Sequence, residues 1–545
     1  MSKKISLPRC TPESVGISSD SIIALMDTFK RMEIENHSFM IVRHGKVCAE
    51  AWAKPFSPEI PHAMYSFSKS FAATAIGFAI DEKIIVPSTG EPISLDTKLR
   101  DIFPEEFAAK KRPHPYDDEL KIRHMLRMQS GKQMNLLADK AKIDWVEDYI
   151  NAPFNAKPGT YWNYCNENSF MFCAAIHRLT DMTVNEFLTP RLYEPLGIDE
   201  PMWERNQDGI EAGGWGMYLK TEDMAKFMLC FLDGGKFGGK QVIPEWWTRE
   251  ASSKQVDNSI EIQPDNKAGY GYHFWLNQIG GFRADGMFSQ HGLALPEYDA
   301  VIITTSGCPI EQKDMDAICS IFPDAFGEEA LPENPELYEK LKQRIAGYEL
   351  DSLPEKFRMP EAEKRINKKV YKLAKKPVGN IAGFPASMLA MPITFMSTVK
   401  TGNIDRLRFV FKENELRMNW IEQGGKIREC VPIGLDGEYR YGKISLGPVP
   451  FTTAGIGCWN DDGTLSISLR PLEAVSARTM TIRFDEDRIT VKMGESPAVS
   501  EIAAFLVAAF EVMVSNKFLV KTAEQAFKVV PKVLDPTLHG KALKF

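Results

Sequence analysis

The chain has 545 residues, which at about 150 per domain suggests three or four, although large mixed folds exceed that figure. A hydrophobic share of 44% beside 26% charged residues is that of a soluble globular protein. A net charge of -7 and a pI near 5.9 argue against nucleic acid or an anionic membrane as a partner.

In chain order, Met1 to Arg9 carries the charge of a signal peptide without the apolar run that must follow one. A cytoplasmic protein is therefore expected. Residues 17–33 read as an amphipathic helix with Ser18 or Ser19 as its cap and Ile22, Ile23, Leu25, Met26 and Phe29 as its apolar set. His37 to Trp52 reads as a hairpin turning at His44-Gly45. From Phe67 to Ile80 a helix is apolar nearly all round, which marks a buried one. Residues 94–147 alternate short helices and loops, with one helix reaching Ser130-Gly131 as its C-terminal cap. Pro158 to Asn166 is a turn and tight loop, and helices are expected over about 168–180 and 183–193. Gly213 to Tyr218 is glycine-rich and precedes a helix at 221–233.

Strand character then dominates at 269–276, 289–295 and 300–306, the last two straddling the turn Pro296-Glu297-Tyr298-Asp299. Helices follow at 311–321 and 335–346, the second capped by Asn334 with Pro335 in its first turn. Leu353 to Pro360 reads as a linker. Beyond it Leu407, Phe409 and Phe411, then Leu416, Met418 and Trp420, alternate with polar residues. So do Leu465, Ile467 and Leu469, Met480, Ile482 and Phe484, and Ile489, Val491 and Met493, a pattern of repeated hairpins. Apolar helices are expected over 498–530. The apolar stretch Ile502 to Val514 is too short to span a membrane and contains Glu511. Nine scattered cysteines, odd in number and without a CxxC pair, suit free thiols.

Three motifs carry the chemistry. Ser66 and Lys69 lie three apart, on one face of the first turn of the buried helix. A lysine desolvated there tends to lose its proton and can take that of a neighbouring serine. The free N–H groups of the helix start favour developing negative charge. Two Tyr-x-Asn patterns occur, Tyr149-Ile150-Asn151 and Tyr164-Cys165-Asn166, and the second follows Pro158-Gly159 and directly precedes a helix. The third is the run Asp285-Gly286-Met287-Phe288-Ser289-Gln290, six residues ahead of Pro296 when counted from Gln290. His291-Gly292 is an alternative, read instead as an ordinary strand residue and its neighbour. Gly234 to Gln241 nearly spells a phosphate-binding loop, but it lacks the Ser/Thr and follows a helix. No histidine pair has zinc-site spacing.

From about residue 8 to 325 the chain resembles the serine β-lactamase and penicillin-binding protein superfamily, above all its class C β-lactamases, esterases and nylon-oligomer hydrolases. The resemblance rests on Ser66-x-x-Lys69, on Tyr164-x-Asn166, on the helix ending near Gly131, and on the glycine-rich stretch and helix from Gly213 to Gly239. It implies an α/β (α+β) fold: a β-lactamase/transpeptidase-like antiparallel sheet flanked by helices, with an all-α subdomain. A C-terminal β-rich, lipocalin-like domain would follow. The expected division is 1–330 for the hydrolase domain, 331–365 for a helix and linker, and 366–545 for the β domain with closing helices.

The resemblance also implies a serine hydrolase acting on a small ester, amide or peptide through an acyl-enzyme on Ser66. Lys69 or Tyr164 would be the base, and Asn166 would hold Lys69 and substrate. Backbone N–H groups of Ser66 and Gln290 would bind the oxyanion, with Ser289 beside them. No metal, cofactor, nucleic-acid or membrane partner is implied. Where many relatives carry a Lys or His in the third motif, this chain has Met287, which cannot bind a substrate carboxylate. The rival expectation is a non-catalytic protein of the same fold that binds a peptide or acyl ligand.

Overall fold

A computed structural model describes residues 5–132, 143–350, 358–374, 404–422, 427–446, 449–498, 500–501, 535 and 537–543. The chain divides into two compact units, Met1–Trp52 with Ala63–Tyr348, and Ala53–His62 with Glu349–Phe545.

The first unit is built on a six-stranded antiparallel sheet. Its strands are β1 (Asn36–Arg43), β2 (Lys46–Trp52), β3 (Trp275–Leu276), β4 (Phe282–Gly286), β5 (Gln290–Leu295) and β6 (Ala300–Ser306), in the order β2-β1-β6-β5-β4-β3. The expected hairpin at 37–52 is present. His44 and Gly45 both have positive φ, as a two-residue turn between twisted strands requires. Every residue of β6 is buried, because it is central and both faces of the sheet are covered.

One face packs against α1 (Ser19–Arg31). Ile22, Leu25, Met26 and Phe29 of α1 join Phe39, Ile41, Leu293 and Ile302 of the sheet in one apolar cluster. Ser18 is the cap of α1, its hydroxyl accepting from the Asp20 N–H. The helix Pro335–Ala346 adds Leu341 to the same cluster, and Asn334 caps it as expected.

The other side holds α2 (Ser68–Asp81), α3 (Asn166–Thr180) and α4 (Thr221–Leu232). Every residue of α2 from Ser68 to Ala79 is buried, which is why its sequence shows no polar face. Phe71 stacks on Phe227 of α4 with ring centroids 4.0 Å apart. Gly77 is the point of closest approach: a Cβ there would lie 2.3 Å from the buried Trp247 ring. Gly77→Ala gains about 1 kcal/mol of helix propensity but forces overpacking that costs about 1–3 kcal/mol. Net destabilisation is expected, read as a lower midpoint of urea unfolding. An unchanged or raised midpoint would refute the packing argument.

Three local expectations are corrected. The helix expected to run to Ser130-Gly131 is Ile122–Leu126 and ends at Arg127, because Met128 turns left-handed at φ 55°. Gly131 is a point of close approach rather than a cap: its Cβ would sit 2.2 Å from Ala156 O. Of the stretch 269–276 only Trp275–Leu276 is strand. At Gly271 the backbone passes so close to Ala251 that a Cβ would lie 2.0 Å from its carbonyl. Strand β4, not anticipated as a strand, buries both Arg283 and Asp285. The glycine run 234–241 forms a short two-stranded ribbon, Lys236–Phe237 with Lys240–Gln241, turning at left-handed Gly238 and Gly239.

The second unit is an antiparallel barrel. Its strands are β7 (Val370–Leu373), β8 (Ile404–Phe411), β9 (Glu415–Glu422), β10 (Ile427–Gly434), β11 (Arg440–Leu446), β12 (Val449–Trp459), β13 (Leu465–Pro471), β14 (Ala477–Asp485), β15 (Arg488–Ser496) and β16 (Thr537–Ala542). The order is β10-β9-β8-β7-β16-β15-β14-β13-β12-β11, and β10 closes onto β12 at Gly434 and Ile456. The alternating residues of the sequence supply the buried side, among them Leu407, Phe409, Met418, Trp420, Ile467, Ile482 and Val491. The expected helices over 498–530 fall almost wholly outside the described residues, as does most of the expected linker at 353–360. The linker's last residue, Pro360, opens the helix Pro360–Ile366. Among the described residues no helix is long and apolar enough to cross a membrane.

Candidate active site

Ser66 sits in a 3-10 turn, Tyr65–Phe67, that runs directly into α2. Tyr65 is left-handed at φ 44°, an uncommon conformation for a residue with a side chain. Phe67 is held beneath the turn by Phe71 and Phe227, each 6.3 Å away between ring centroids. The hairpin of β4 and β5 closes onto this turn at two glycines. A Cβ at Gly286 would lie 2.1 Å from Met64 O, and one at Gly292 would lie 2.8 Å from Phe67. Side chains at either place would lift the hairpin off the serine.

Lys69 Nζ donates to Ser66 Oγ at 2.7 Å and to the carbonyl of Gly214 at 2.6 Å. The lysine is 1% exposed. Burial lowers its pKa to about 7, against the raising influence of Glu167 and Cys165. Gly214 belongs to the glycine-rich stretch noted in the sequence, although the role of its carbonyl was not anticipated. A Cβ on Gly214 would come within 2.8 Å of Asn166 O, so Asn166, at the start of α3, stands beside this carbonyl.

Tyr164 lies over the same lysine, Nζ being 4.9 Å from its ring centroid, and Ser66 acts on its hydroxyl to lower the phenol pKa, against the larger effect of burial. Burial pushes this phenol well above its ordinary pKa, and the carboxyls of Asp285, Glu311 and Glu261 act on it in the same direction. Trp275 stacks on Tyr164 at 5.7 Å, Tyr270 stands edge-on to both rings, and Trp162 is edge-on to Trp275 and tilted against Tyr164. The rival Tyr149 is buried in the helix Trp145–Asn151, its hydroxyl committed to Asn168 Oδ1 at 2.8 Å.

The third motif forms the turn between β4 and β5, with Gly286 paired to Gln290. Phe288 sets its ring edge-on to Tyr65 at 5.4 Å. Met287 is half-buried. The Ser289 side chain is fully enclosed beside Cys308, and the Gln290 amide is turned back onto neighbouring carbonyls, so neither side chain is offered to a substrate. Their backbone is what borders the Tyr65–Phe67 turn. Glu311, at the first position of the helix Glu311–Cys319, was missed in the sequence; burial first and Asp285 second raise its pKa to about 8. No cluster of three or more His, Cys, Asp or Glu able to hold a metal occurs among the described residues, and all nine cysteines are free.

Comparison with known proteins adds to this geometry. The chain is 23% identical over 341 residues to the 6-aminohexanoate-dimer hydrolase of Paenarthrobacter ureafaciens, covering 55% of this chain and 80% of that one. Among solved structures it is similar to a penicillin-binding protein homologue from Caulobacter crescentus, at 15% identity, TM-score 0.44 and coverage of 56% and 99% of the two chains. It is also similar to the D-amino acid amidase of Ochrobactrum anthropi, at 14% identity, TM-score 0.44 and coverage of 56% and 100%. Residues 27–315 match the Beta-lactamase family. That match spans more than half of the 545 residues and takes in the serine–lysine turn, the tyrosine loop and the hairpin that closes on them, so the chain belongs to the beta-lactamase family.

Proposed function

We propose that this chain is a serine hydrolase that cleaves a small ester or amide through an acyl-enzyme on Ser66. The observation that carries the reading is the buried Lys69 amine 2.7 Å from Ser66 Oγ. Near neutral pH an amine with a pKa of about 7 is neutral half the time, so it can take the serine proton as Oγ attacks the carbonyl carbon. Tyr164 keeps its own proton at that pH, which supports Lys69 as the base and Tyr164 as the phenol that relays a proton to the departing alcohol or amine. Backbone N–H groups at Ser66 and on β5 would hold the oxyanion. Water then attacks the acyl-enzyme by the same groups in reverse.

The surroundings favour neutral or amine-bearing substrates. Met287 offers no cation to a substrate carboxylate. The similarity to a 6-aminohexanoate-dimer hydrolase supports an amide, the bond that joins two amino acids. A fluorophosphonate probe tests the chemistry: the adduct is expected on Ser66 by peptide mass spectrometry. An adduct placed elsewhere, or none under conditions that label a known serine hydrolase, would overturn the reading. Turnover of p-nitrophenyl esters, D-amino-acid amides and nitrocefin would then define the substrate class.

Met287→Lys tests the orientation of the third motif. It is expected to raise acylation by penicillins at least several-fold, a single charge-assisted contact being worth about 1.5–3 kcal/mol before losses. A folded variant that reacts with penicillin no faster than the parent would show that residue 287 does not face the substrate.

A further inference from the structure

The turn Met287–Ser289 is held by groups that no chemical step above uses. Phe288 and Ser289 both have φ of 66°, a left-handed conformation that residues with side chains keep only when their surroundings impose it. Gln290 imposes part of it. Its Nε2 lies 3.2 Å from Met287 O, 2.9 Å from Phe288 O and 2.7 Å from Ser306 O, and its Oε1 accepts the Ser306 N–H at 3.3 Å. On the other side Glu311 opens the helix whose Asp314 accepts from Thr304 and Ser306, and the Phe288 backbone acts on its carboxyl.

This clamp is anchored in a buried array. His291, the next residue along β5, is fully enclosed between two carboxylates, with Nδ1 3.3 Å from Asp285 Oδ1 and Nε2 3.6 Å from Asp314 Oδ2. Arg283 closes the array on Asp285 at 2.6 Å. Asp314 in turn accepts from Thr304 Oγ1 at 2.9 Å and from Ser306 Oγ at 3.4 Å, and Ser306 is the residue that holds Gln290. The chain of contacts therefore runs unbroken from His291 through Asp314, Ser306 and Gln290 to the turn. The turn meets the nucleophile through Phe288 on Tyr65 and Gly286 on Met64.

We propose that Gln290 and Glu311 are positioning residues, which grip the Met287–Ser289 turn from its carbonyl side and its N–H side and so fix the β5 backbone against the acyl oxygen at Ser66. The proposal rests on the serine hydrolase reading. Neither side chain touches substrate. Their contribution belongs to the transition state, where oxyanion contacts strengthen, rather than to substrate binding.

Kinetics of p-nitrophenyl ester hydrolysis by the full chain test it, with Gln290→Met, Glu311→Leu and Glu311→Gln. Gln290→Met keeps the length of the side chain and removes its donors. Glu311→Leu removes the carboxyl at a half-buried helix start, and a thermal melt checks its fold. Glu311→Gln keeps an acceptor oxygen. Gln290→Met and Glu311→Leu are expected to lower kcat about 10- to 100-fold with KM within about twofold, as a misplaced oxyanion group does. Glu311→Gln is expected to restore kcat to within about threefold of the parent. If Gln290→Met does not fold, the Glu311 pair alone decides. Parent protein labelled at Ser66 together with an unchanged kcat in Glu311→Leu would overturn this proposal alone. A rise in KM at constant kcat, or a Glu311→Gln variant as impaired as Glu311→Leu, would also overturn it. Failure of the parent to label or turn over would instead overturn the hydrolase reading on which it stands.

Discussion

Ser66→Ala is expected to lower kcat/KM for any substrate of this protein by about 10⁴-fold or more, the scale on which loss of a nucleophile acts. The residue is half-buried in the Tyr65–Phe67 turn and caps nothing, so the fold should survive. Lys69 keeps its bond to the Gly214 carbonyl when the hydroxyl goes. Stability should therefore change by less than about 1 kcal/mol, which separates a chemical effect from a structural one. Turnover and a thermal melt on the same sample make the measurement. Ester hydrolysis at parental rate in a folded Ser66→Ala variant would rule out the acyl-enzyme.

Lys69→Met removes the proposed base and keeps the length and apolar stem of the side chain. A fall in kcat of about 10²–10⁴-fold is expected, the usual contribution of a general base. Methionine suits a helix interior, and replacing a buried amine by an apolar group of similar volume is often neutral. The unpartnered Gly214 carbonyl is the cost, about 1–3 kcal/mol at most. Wild-type turnover in a folded Lys69→Met protein would sink the mechanism.

The same lysine sets two pH dependences. As a base it must be neutral, so kcat/KM of the parent should climb as pH rises through about 7. In the folded chain its pKa is about 7, against an ordinary value of 10.5. Between these two values the unfolded chain binds the extra proton, so Lys69 makes stability rise with pH across that window. Lys69→Met should lose that part of the slope. Urea unfolding of parent and variant at pH 7 and pH 10 compares them, and equal slopes would show that Lys69 is not desolvated as described.

Much of the fold was legible because its elements announce themselves locally. The buried helix after Ser66, the hairpin turning at His44-Gly45, the Asn334-Pro335 helix start and the alternating strands of the barrel each follow from periodicity, caps and turn residues. Ser66 and Lys69 could be paired from spacing alone, since three residues of helix leave little freedom in where two side chains meet. Tyr164 needed its context of turn and helix start, and the structure brings it to the same lysine.

Strand β4 was not legible, because Arg283 and Asp285 read as surface residues. Only their mutual pairing, with His291 and Asn277 beside them, makes burial affordable. The Gly214 carbonyl could not be assigned a role either, since a backbone oxygen has no signature in sequence and this one lies 145 residues from the lysine it accepts. Glu311, the side-chain bonds of Gln290 and the carboxyl surroundings of Tyr164 were hidden too, because only the closed chain brings those partners together. Local sequence determined the elements and the pairing of Ser66 with Lys69, because helix caps, hydrophobic period and i,i+3 spacing act over a few residues. Tertiary structure alone decided the protonation of Lys69 and Tyr164, the grip on the Met287–Ser289 turn and the sign of charge around the site. Those depend on desolvation and on partners that the chain brings together only when it closes.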